Sequence, residues 1–299
     1  MSDLYPIVEI QPEWVLEPEA LGSKQKFWYR ETKEKQDWLF KYPQQKTGQH
    51  WAEKIAAEVA TCMGVPHAQV ELALFQNNRG STTKSFIQDG WSLFHGNQIL
   101  AGKVFDYDLS VKYRQSDHTL ENIFLALENI FEQKEDTHGA KCLIADYLVL
   151  DATIGNTDRH HENWGILLKQ EENSWIGNVA HTFDHASSLG RELLDEGKKK
   201  SRLRLLNERQ IPAYAEQASG AIYWDKADRF GISPLELVRR AAAKYPEIFN
   251  SAIRKVEQLD RDKLEEIVGC IPEAWMTKLA RQFSIALVCY NLEQLRRIP

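Results

Sequence analysis

The densest polar segment of the chain is GNTDRHHEN, residues 155–163, and a second short segment, HTFDH, occupies residues 181–185. The apolar spacing of residues 140–154 predicts a buried helix that ends where the first segment begins. Two strands, at residues 164–169 and 175–183, are predicted to join the two segments. Because a hairpin of this length returns the chain to its start, we expect polar side chains of both segments to converge in one pocket.

Three of these side chains have the order that phosphoryl transfer requires. Asp158 is followed five residues later by Asn163, and Asp184 is predicted at the end of the second strand. In this chemistry the first carboxylate accepts the proton of the attacking hydroxyl, while the amide oxygen and the second carboxylate hold Mg²⁺ against the triphosphate of ATP. Mg²⁺ takes few protein oxygens together with phosphates, so one Asn and one Asp are enough. Taken singly, each residue is also compatible with a capping loop or a polar strand end.

The front of the chain offers candidates for the groups that contact the phosphates. The short polar loop LGSKQK, residues 21–26, could cover phosphates with backbone N–H groups. Lys41 closes a mostly apolar strand, from which its ammonium could reach the α- and β-phosphates. On the helix predicted for residues 51–63, Glu53 lies on a face of small residues and could form an ion pair with Lys41. Alternatively, Lys41 is a solvated lysine at the strand end and Glu53 is an exposed glutamate of the helix. Glu58 is a competing candidate for the pairing with Lys41.

The order of the predicted elements indicates an α+β protein with two lobes. Short runs of β-branched and aromatic residues predict strands through about residue 110, with one helix among them. From about residue 119 the pattern is helical apart from the hairpin, and beyond about residue 233 it is mostly amphipathic helix. We therefore predict a strand-rich N-lobe at residues 1–117 and a helical C-lobe at residues 118–299.

The residues of the polar segment, with Phe183 and Asp184, resemble the HipA-like serine/threonine kinases, and the DRHxxN pattern is shared with phosphoinositide kinases. Residues 83–87, TKSFI, and residues 93–97, LFHGN, are similar to short stand-alone members of the HipA group. The resemblance implies a two-lobed protein-kinase-like fold, ATP and Mg²⁺ as cofactors, and serine/threonine kinase activity that includes autophosphorylation. It also implies a toxin–antitoxin or effector role, with an antitoxin as a candidate partner.

The resemblance assigns roles to individual residues as well. It implies that Asp158 is the catalytic base and that Lys41 and Glu53 form the lysine–glutamate pair. Asn163 and Asp184 would hold the metal ion. The residues expected to contact the nucleotide, from the phosphate loop to the adenine region and the polar segment, are Gly22, Ser23, Lys24, Gln25, Lys26, Lys41, Phe86, Ile87, His160, Asn163 and Asp184.

Three other functions stay open at this level. A phosphoinositide kinase would use the basic stretch at residues 197–204 to bind an anionic head group, although the chain has no amphipathic basic helix. A metal-dependent hydrolase would use imidazole ligands, which suit Zn²⁺ or Fe²⁺, although no HExxH is present. Its candidate ligands are His160, His161, His181 and His185. A pseudokinase would bind nucleotide without turnover.

Charge and cysteine content restrict the partners and the compartment. The chain has 37 Lys and Arg against 43 Asp and Glu, a net charge of −6, which disfavours a general nucleic-acid binder. Its four cysteines are far apart and form no CxxC, which predicts free thiols in a reducing cytoplasm. No apolar run approaches the ~18 residues that a membrane span requires. We therefore expect a cytoplasmic enzyme that acts on a protein substrate, with itself as one candidate.

Overall fold

The computed structural model describes residues 3–18, 25–32, 35–131, 133–172, 174–197 and 200–299, which divide into two compact units. The first unit comprises Met1–Phe86, Asp184–Pro212 and Gln258–Tyr290. The second comprises Ile87–Phe183, Ala213–Glu257 and Asn291–Pro299. The predicted lobes are single segments, whereas each unit is assembled from three segments. The assignment of nucleotide binding to residues 1–117 therefore stays a prediction.

The regular elements mix strands and helices, so the predicted α+β class is confirmed. The strands are β1 (Ile7–Ile10), β2 (Val15–Pro18), β3 (Lys26–Arg30), β4 (Asp37–Lys41), β5 (Val70–Phe75), β6 (Asn78–Lys84), β7 (Ser92–His95), β8 (Gly165–Glu171) and β9 (Ser174–Val179). The helices are α1 (Gln49–Met63), α2 (Gly96–Lys103), α3 (Leu120–Glu128), α4 (Lys134–Ile154), α5 (Arg202–Asn207), α6 (Ile211–Glu216), α7 (Pro234–Lys244), α8 (Pro246–Arg254), α9 (Arg261–Gly269) and α10 (Lys278–Leu295).

The first unit is built on a mixed sheet with strand order β1-β5-β6-β4-β3-β2. Strand β1 pairs in parallel with β5, and the other pairings are antiparallel. Alternation along β3 and β4 sends four of their aromatic side chains to one buried core and leaves Lys41 on the opposite face. The aromatic residues of that core include Phe27, Tyr29, Trp38 and Phe40.

Helix α1 packs on β5 and β6 and is buried along most of its length. Its apolar residues, such as Ile55 and Val59, are fully buried. The helix ends at Gly64, whose left-handed backbone (φ 66°) is the usual C-terminal cap. This helix therefore carries Glu53 inside the first unit.

In the second unit, β7, β8 and β9 form an antiparallel sheet, and the long helix α4 packs against α3, α7 and α8. Helix α4 ends at Gly155, which has a left-handed backbone (φ 66°), and the polar segment follows at once. The predicted helix at residues 140–154 thus begins earlier than expected, at Lys134.

The second strand of the hairpin is shorter than its predicted range of residues 175–183. Strand β9 ends at Val179, and the last backbone pairing joins the N–H of Ala180 to the carbonyl of Gly165 at 3.0 Å. Strand β8 begins at Gly165, so the pairing between β8 and β9 does not extend beyond Ala180. Asp184 therefore lies in an irregular segment, not at a strand end as predicted.

Within the described ranges, no helix is both long enough and apolar enough to cross a bilayer.

Candidate active site

The first unit brings together Lys41, Glu53 and Asp184. The Nζ atom of Lys41 lies 3.5 Å from Oδ2 of Asp184 and 3.9 Å from Oε2 of Glu53. The Glu53 side chain is 1% exposed, the Lys41 side chain 13% and the Asp184 side chain 26%. The lysine is thus held between a buried carboxylate and one that solvent can reach.

Glu53 has a second contact that fixes the segment around Asp184. Its Oε1 accepts a hydrogen bond of 2.9 Å from the backbone N–H of the buried His185. Asp184 itself has a left-handed backbone (φ 56°), which a non-glycine residue adopts only at a cost. The competing candidate, Glu58, pairs instead with Lys54 at 2.8 Å. Glu53 is therefore the glutamate of α1 that meets Lys41.

The charge of Lys41 is stabilised by its neighbours. Burial alone would lower the pKa of its ammonium, but Asp184 and then Glu53 outweigh burial and hold the pKa above its ordinary value. Lys41 is therefore a fixed positive charge at neutral pH, as contact with a polyphosphate requires.

The register of the sheet places a second lysine beside Lys41. Lys26 and Lys41 are direct partners across β3 and β4, so their side chains leave the same face of the sheet. The backbone carbonyl of the neighbouring Gln25 accepts a hydrogen bond from the N–H of Tyr42. Gly22, Ser23 and Lys24 lie outside the described residues, so the phosphate-loop assignment of residues 21–26 stays a prediction.

In the second unit, the polar loop (residues 155–163) holds Asp158 through its backbone. The side-chain amide of Asn163 donates to the Asp158 carbonyl at 2.7 Å, and the Asp158 N–H donates to Oδ1 of Asn156 at 3.2 Å. Asp158 is half-buried, whereas His160 and Asn163 are buried. Two hydrogen bonds to its backbone thus hold Asp158 in place within the polar loop.

A buried ion pair that the sequence did not reveal anchors the polar loop. Arg159 donates from Nε and Nη2 to the two carboxylate oxygens of Asp151 on α4, at 2.7 and 2.8 Å. Its Nη1 donates to the carbonyl of Asn163 at 2.5 Å and to that of Phe183 at 3.3 Å. Asn156 adds a hydrogen bond of 2.8 Å to Asp151. The signal in the sequence was Asp151 itself, a carboxylate within the apolar run of a buried helix.

The hydrogen bonds of Arg159 also fix where the hairpin rejoins the loop. Arg159 binds the carbonyl of Phe183, and Phe183 is joined by a peptide bond to Asp184. Asn163 and the residue before Asp184 are therefore tied to one guanidinium, and Asp158 is tied in turn to Asn163. Lys41, Glu53 and Asp184 belong to the first unit and the polar loop to the second, so the convergence of the two groups on one nucleotide stays a prediction.

The chemistry of the donors suits Mg²⁺. Because Nδ2 of Asn163 is used by the Asp158 carbonyl, its Oδ1 is the atom that can face a cation. Asp184 supplies a partly exposed carboxylate beside Lys41. Two hard oxygens together with phosphates are a usual set for Mg²⁺, so these residues fit the ion that the sequence predicts.

The histidines of the polar loop have structural partners, which disfavours the hydrolase. Nδ1 of His161 is 2.7 Å from the buried hydroxyl of Tyr107, and burial lowers the pKa of His161 to about 4. The neighbouring His118 donates from Nδ1 to the Ala221 carbonyl and accepts at Nε2 from Trp164. Within the described ranges, no three His, Cys, Asp or Glu side chains are grouped as metal ligands.

The two residues predicted near the adenine follow β6. Phe86 is half-buried and is the last residue of the first segment of the first unit, while the exposed Ile87 begins the second unit. Their contact with the adenine stays a prediction.

Comparisons with known proteins agree on one family. The family model of the HipA-like C-terminal domain matches residues 19–259. The serine/threonine-protein kinase CtkA of Helicobacter pylori is 23% identical over 233 residues, which are 78% of this chain and 66% of that protein.

Solved structures show the same fold. The crystal structure of the proinflammatory kinase CtkA of Helicobacter pylori matches with a TM-score of 0.73 at 19% identity, covering 97% of this chain and 95% of that chain. HipA of Shewanella oneidensis, solved with HipB and operator DNA, matches with a TM-score of 0.59 at 13% identity, covering 98% and 67%. The polar loop and the Lys41 cluster lie within the matched residues, and the chain belongs to the HipA-like C-terminal domain family.

Proposed function

We propose that the protein is a serine/threonine protein kinase that uses ATP and Mg²⁺. The observation that carries the proposal is the cluster of Lys41, Glu53 and Asp184, in a member of a family whose named relative is a serine/threonine kinase. A buried lysine that shares two carboxylates, one of them accessible, is suited to binding a phosphate chain together with a metal ion.

In the proposed reaction, Asp158 accepts the proton of a substrate hydroxyl. The hydroxyl oxygen forms a bond to the terminal phosphorus of ATP, the bond from that phosphorus to the bridging oxygen breaks, and ADP leaves. The half-buried Asp158 is positioned for this role by backbone hydrogen bonds to Asn156 and Asn163. Lys41 holds the phosphate chain through its fixed positive charge.

A metal ion bound at Asn163 and Asp184 would neutralise charge on the phosphates. Asp184 is positioned for this by Lys41 and, through the His185 N–H, by Glu53. Gln25, Lys26, His160, Phe86 and Ile87 are proposed to contact other parts of the nucleotide.

The biological role is proposed by analogy with the relatives. HipA of Shewanella oneidensis was solved with HipB and operator DNA, as parts of a toxin–antitoxin system. By this analogy, we propose that the chain acts as a toxin or effector, that a protein partner regulates it, and that it phosphorylates itself. The described cysteines are free, which suits the cytoplasm that we propose as its location.

Mass spectrometry after incubation with ATP and Mg²⁺ tests the kinase proposal. The expected result is phosphate on serine or threonine of the protein or of an added protein substrate, and none when Asp158→Ala replaces the wild type. Phosphate that also appears in Asp158→Ala would come from a contaminating kinase and would contradict the proposal.

The same incubation with vesicles that contain phosphatidylinositol separates protein from lipid kinase activity. The basic stretch at residues 197–204 gives the lipid alternative little support, because its arginines have carboxylate partners. Arg202 pairs with Asp195 at 2.8 Å, and Arg204 pairs with Glu208 at 2.8 Å. We expect label in protein and none in lipid.

A further inference from the structure

A cavity of about 300 Å³ in the second unit is lined by Asp158 and also by a wall of residues that have no role in the proposed phosphoryl transfer. Lys112, Tyr113 and Arg114 supply this wall from one loop, and Phe230 supplies it from another. The volume is at the lower end for small-molecule sites, so the cavity suits one or two side chains of a protein.

The loop that carries this wall is anchored to the polar loop. Tyr107 is buried, and its hydroxyl is the partner of His161. Lys112 forms an ion pair of 2.5 Å with Glu162, and the buried Gln115 donates to a carbonyl of its own loop at 2.7 Å. An anchored loop presents a preorganised surface, which reduces the entropy lost when a partner binds.

Large apolar side chains of this surface nevertheless face solvent. Tyr113 is 65% exposed and Phe230 is 54% exposed. The loop of Tyr113 also exposes Phe105, Leu109 and Val111. Adjacent apolar exposure of this kind marks an interaction surface, and tyrosine is enriched among the residues that dominate protein interfaces.

The charges on the wall indicate the chemistry of the partner. Lys112 is neutralised by Glu162, whereas Arg114 is exposed and has no carboxylate of the described residues within ion-pair distance. A guanidinium pairs with a carboxylate through two parallel hydrogen bonds. An acidic side chain is therefore the complement of this wall.

On the basis of the proposed kinase function, we propose that the cavity binds the acceptor segment of a protein substrate. It selects a serine or threonine flanked by an acidic residue, which pairs with Arg114, and by a large apolar residue, which packs on Tyr113 and Phe230. The acceptor hydroxyl then lies at Asp158, where its proton is removed.

An oriented peptide library tests the acidic preference. The peptides share one central serine with randomised flanks, and the phosphorylated products are sequenced after incubation with the protein, ATP and Mg²⁺. We expect aspartate and glutamate to be enriched at one flanking position by at least about tenfold, as a charge-assisted hydrogen bond allows. Arg114→Glu should lose this enrichment and favour lysine and arginine instead. Arg254→Glu, the same change at an exposed residue of α8 outside the cavity, should keep it.

The apolar preference is tested with the double variant Tyr113→Ser/Phe230→Ser. It should lose the enrichment of large apolar residues, and it should fold because both side chains are exposed. Trp175→Ser is the matched control, since Trp175 is 60% exposed on β9 and does not line the cavity.

The outcomes separate this inference from the kinase proposal. An acidic preference that survives in Arg114→Glu, or autophosphorylation without any phosphorylated peptide, would overturn the subsite and leave the kinase standing. Weakened binding of an unreactive ATP analogue by Arg114→Glu would assign Arg114 to the nucleotide and would also overturn the subsite. If the wild type transfers no phosphate to itself or to any peptide, the kinase proposal fails and the subsite fails with it.

Discussion

Replacing Arg159 by methionine should destabilise the second unit strongly. The change removes both hydrogen bonds to Asp151 and leaves that carboxylate, in a residue only 2% exposed, without its cation. Breaking a buried ion pair from one side costs roughly 3–5 kcal/mol. A whole domain is stable by only about 5–15 kcal/mol, so this loss is a large fraction of the total.

Urea unfolding at pH 7, followed by circular dichroism, measures the effect. Arg159→Met should lower the free energy of unfolding by about 3–5 kcal/mol. The double variant Asp151→Leu/Arg159→Met should recover part of this loss, since it buries no unpaired charge. The control is Arg240→Met, which breaks an exposed pair with Glu236 and should cost no more than about 0.5 kcal/mol.

If Arg159→Met lowers the free energy of unfolding by no more than Arg240→Met does, the Asp151 pair does not anchor the polar loop and the reasoning is refuted. A double variant whose loss equals the sum of the two single losses would mean that the two side chains act independently.

Three further predictions concern the Lys41 cluster and the histidines. Lys41→Met should weaken nucleotide binding and Glu53→Gln should weaken it less, and a double-mutant cycle by calorimetry should give a combined loss smaller than the sum; fully additive losses would show that the two residues are not coupled. Asp184→Asn should fold normally by circular dichroism and lose phosphoryl transfer, because several kcal/mol of transition-state stabilisation depend on the metal-held charge; wild-type turnover in this variant would reject the metal assignment. Burial lowers the pKa of His118 from 6.5 to about 3, so below pH 6.5 the unfolded state binds more protons than the folded state. The stability that the neutral His118 contributes is therefore fully present above pH 6.5 and decreases on acidification. The free energy of unfolding should fall by about 2 kcal/mol between pH 7 and pH 5 because of this group. Urea titrations should show that the free energy of unfolding depends less on pH in His118→Gln than in the exposed-site control His138→Gln, and equal slopes would contradict the lowered pKa of His118.

The sequence located helices and strands well where their apolar residues are periodic. The alternating residues 70–75 predict a strand, and β5 has those ends. Gly64 and Gly155 end their helices as predicted. The first turns of α4 were missed because they are exposed, and an exposed turn has no apolar spacing to detect.

Gly80 shows why a local signal was misread. The residues NNRG, 77–80, are turn formers and predict a turn at these positions. The turn lies instead at Gln76 and Asn77, which both have positive φ, and β6 begins at residue 78. Gly80 lies inside β6, where the residue must be glycine because a Cβ would lie 2.4 Å from the ring of Phe40. A packing glycine and a turn glycine look alike in one sequence.

Contacts between distant segments could be predicted only in part. Lys41 and Glu53 were expected to pair because Glu53 lies on a helix face of small residues, which allows close approach to the strand of Lys41. The hydrogen bond from His185 to Glu53, 132 residues apart, depends on the path of the irregular segment after β9, which periodicity does not describe. The roles of these residues in catalysis stay predictions.

One paired measurement tests most directly whether Asp158 is the base of a protein kinase. Transfer of radiolabelled phosphate from ATP and calorimetric binding of an unreactive ATP analogue are measured on wild type and Asp158→Ala. The hydrogen bonds of Asp158 to Asn156 and Asn163 use its backbone, so alanine retains them. We expect Asp158→Ala to bind the ATP analogue as the wild type does and to transfer phosphate at least ~10²-fold more slowly. Retained transfer, or binding lost together with transfer, would contradict it.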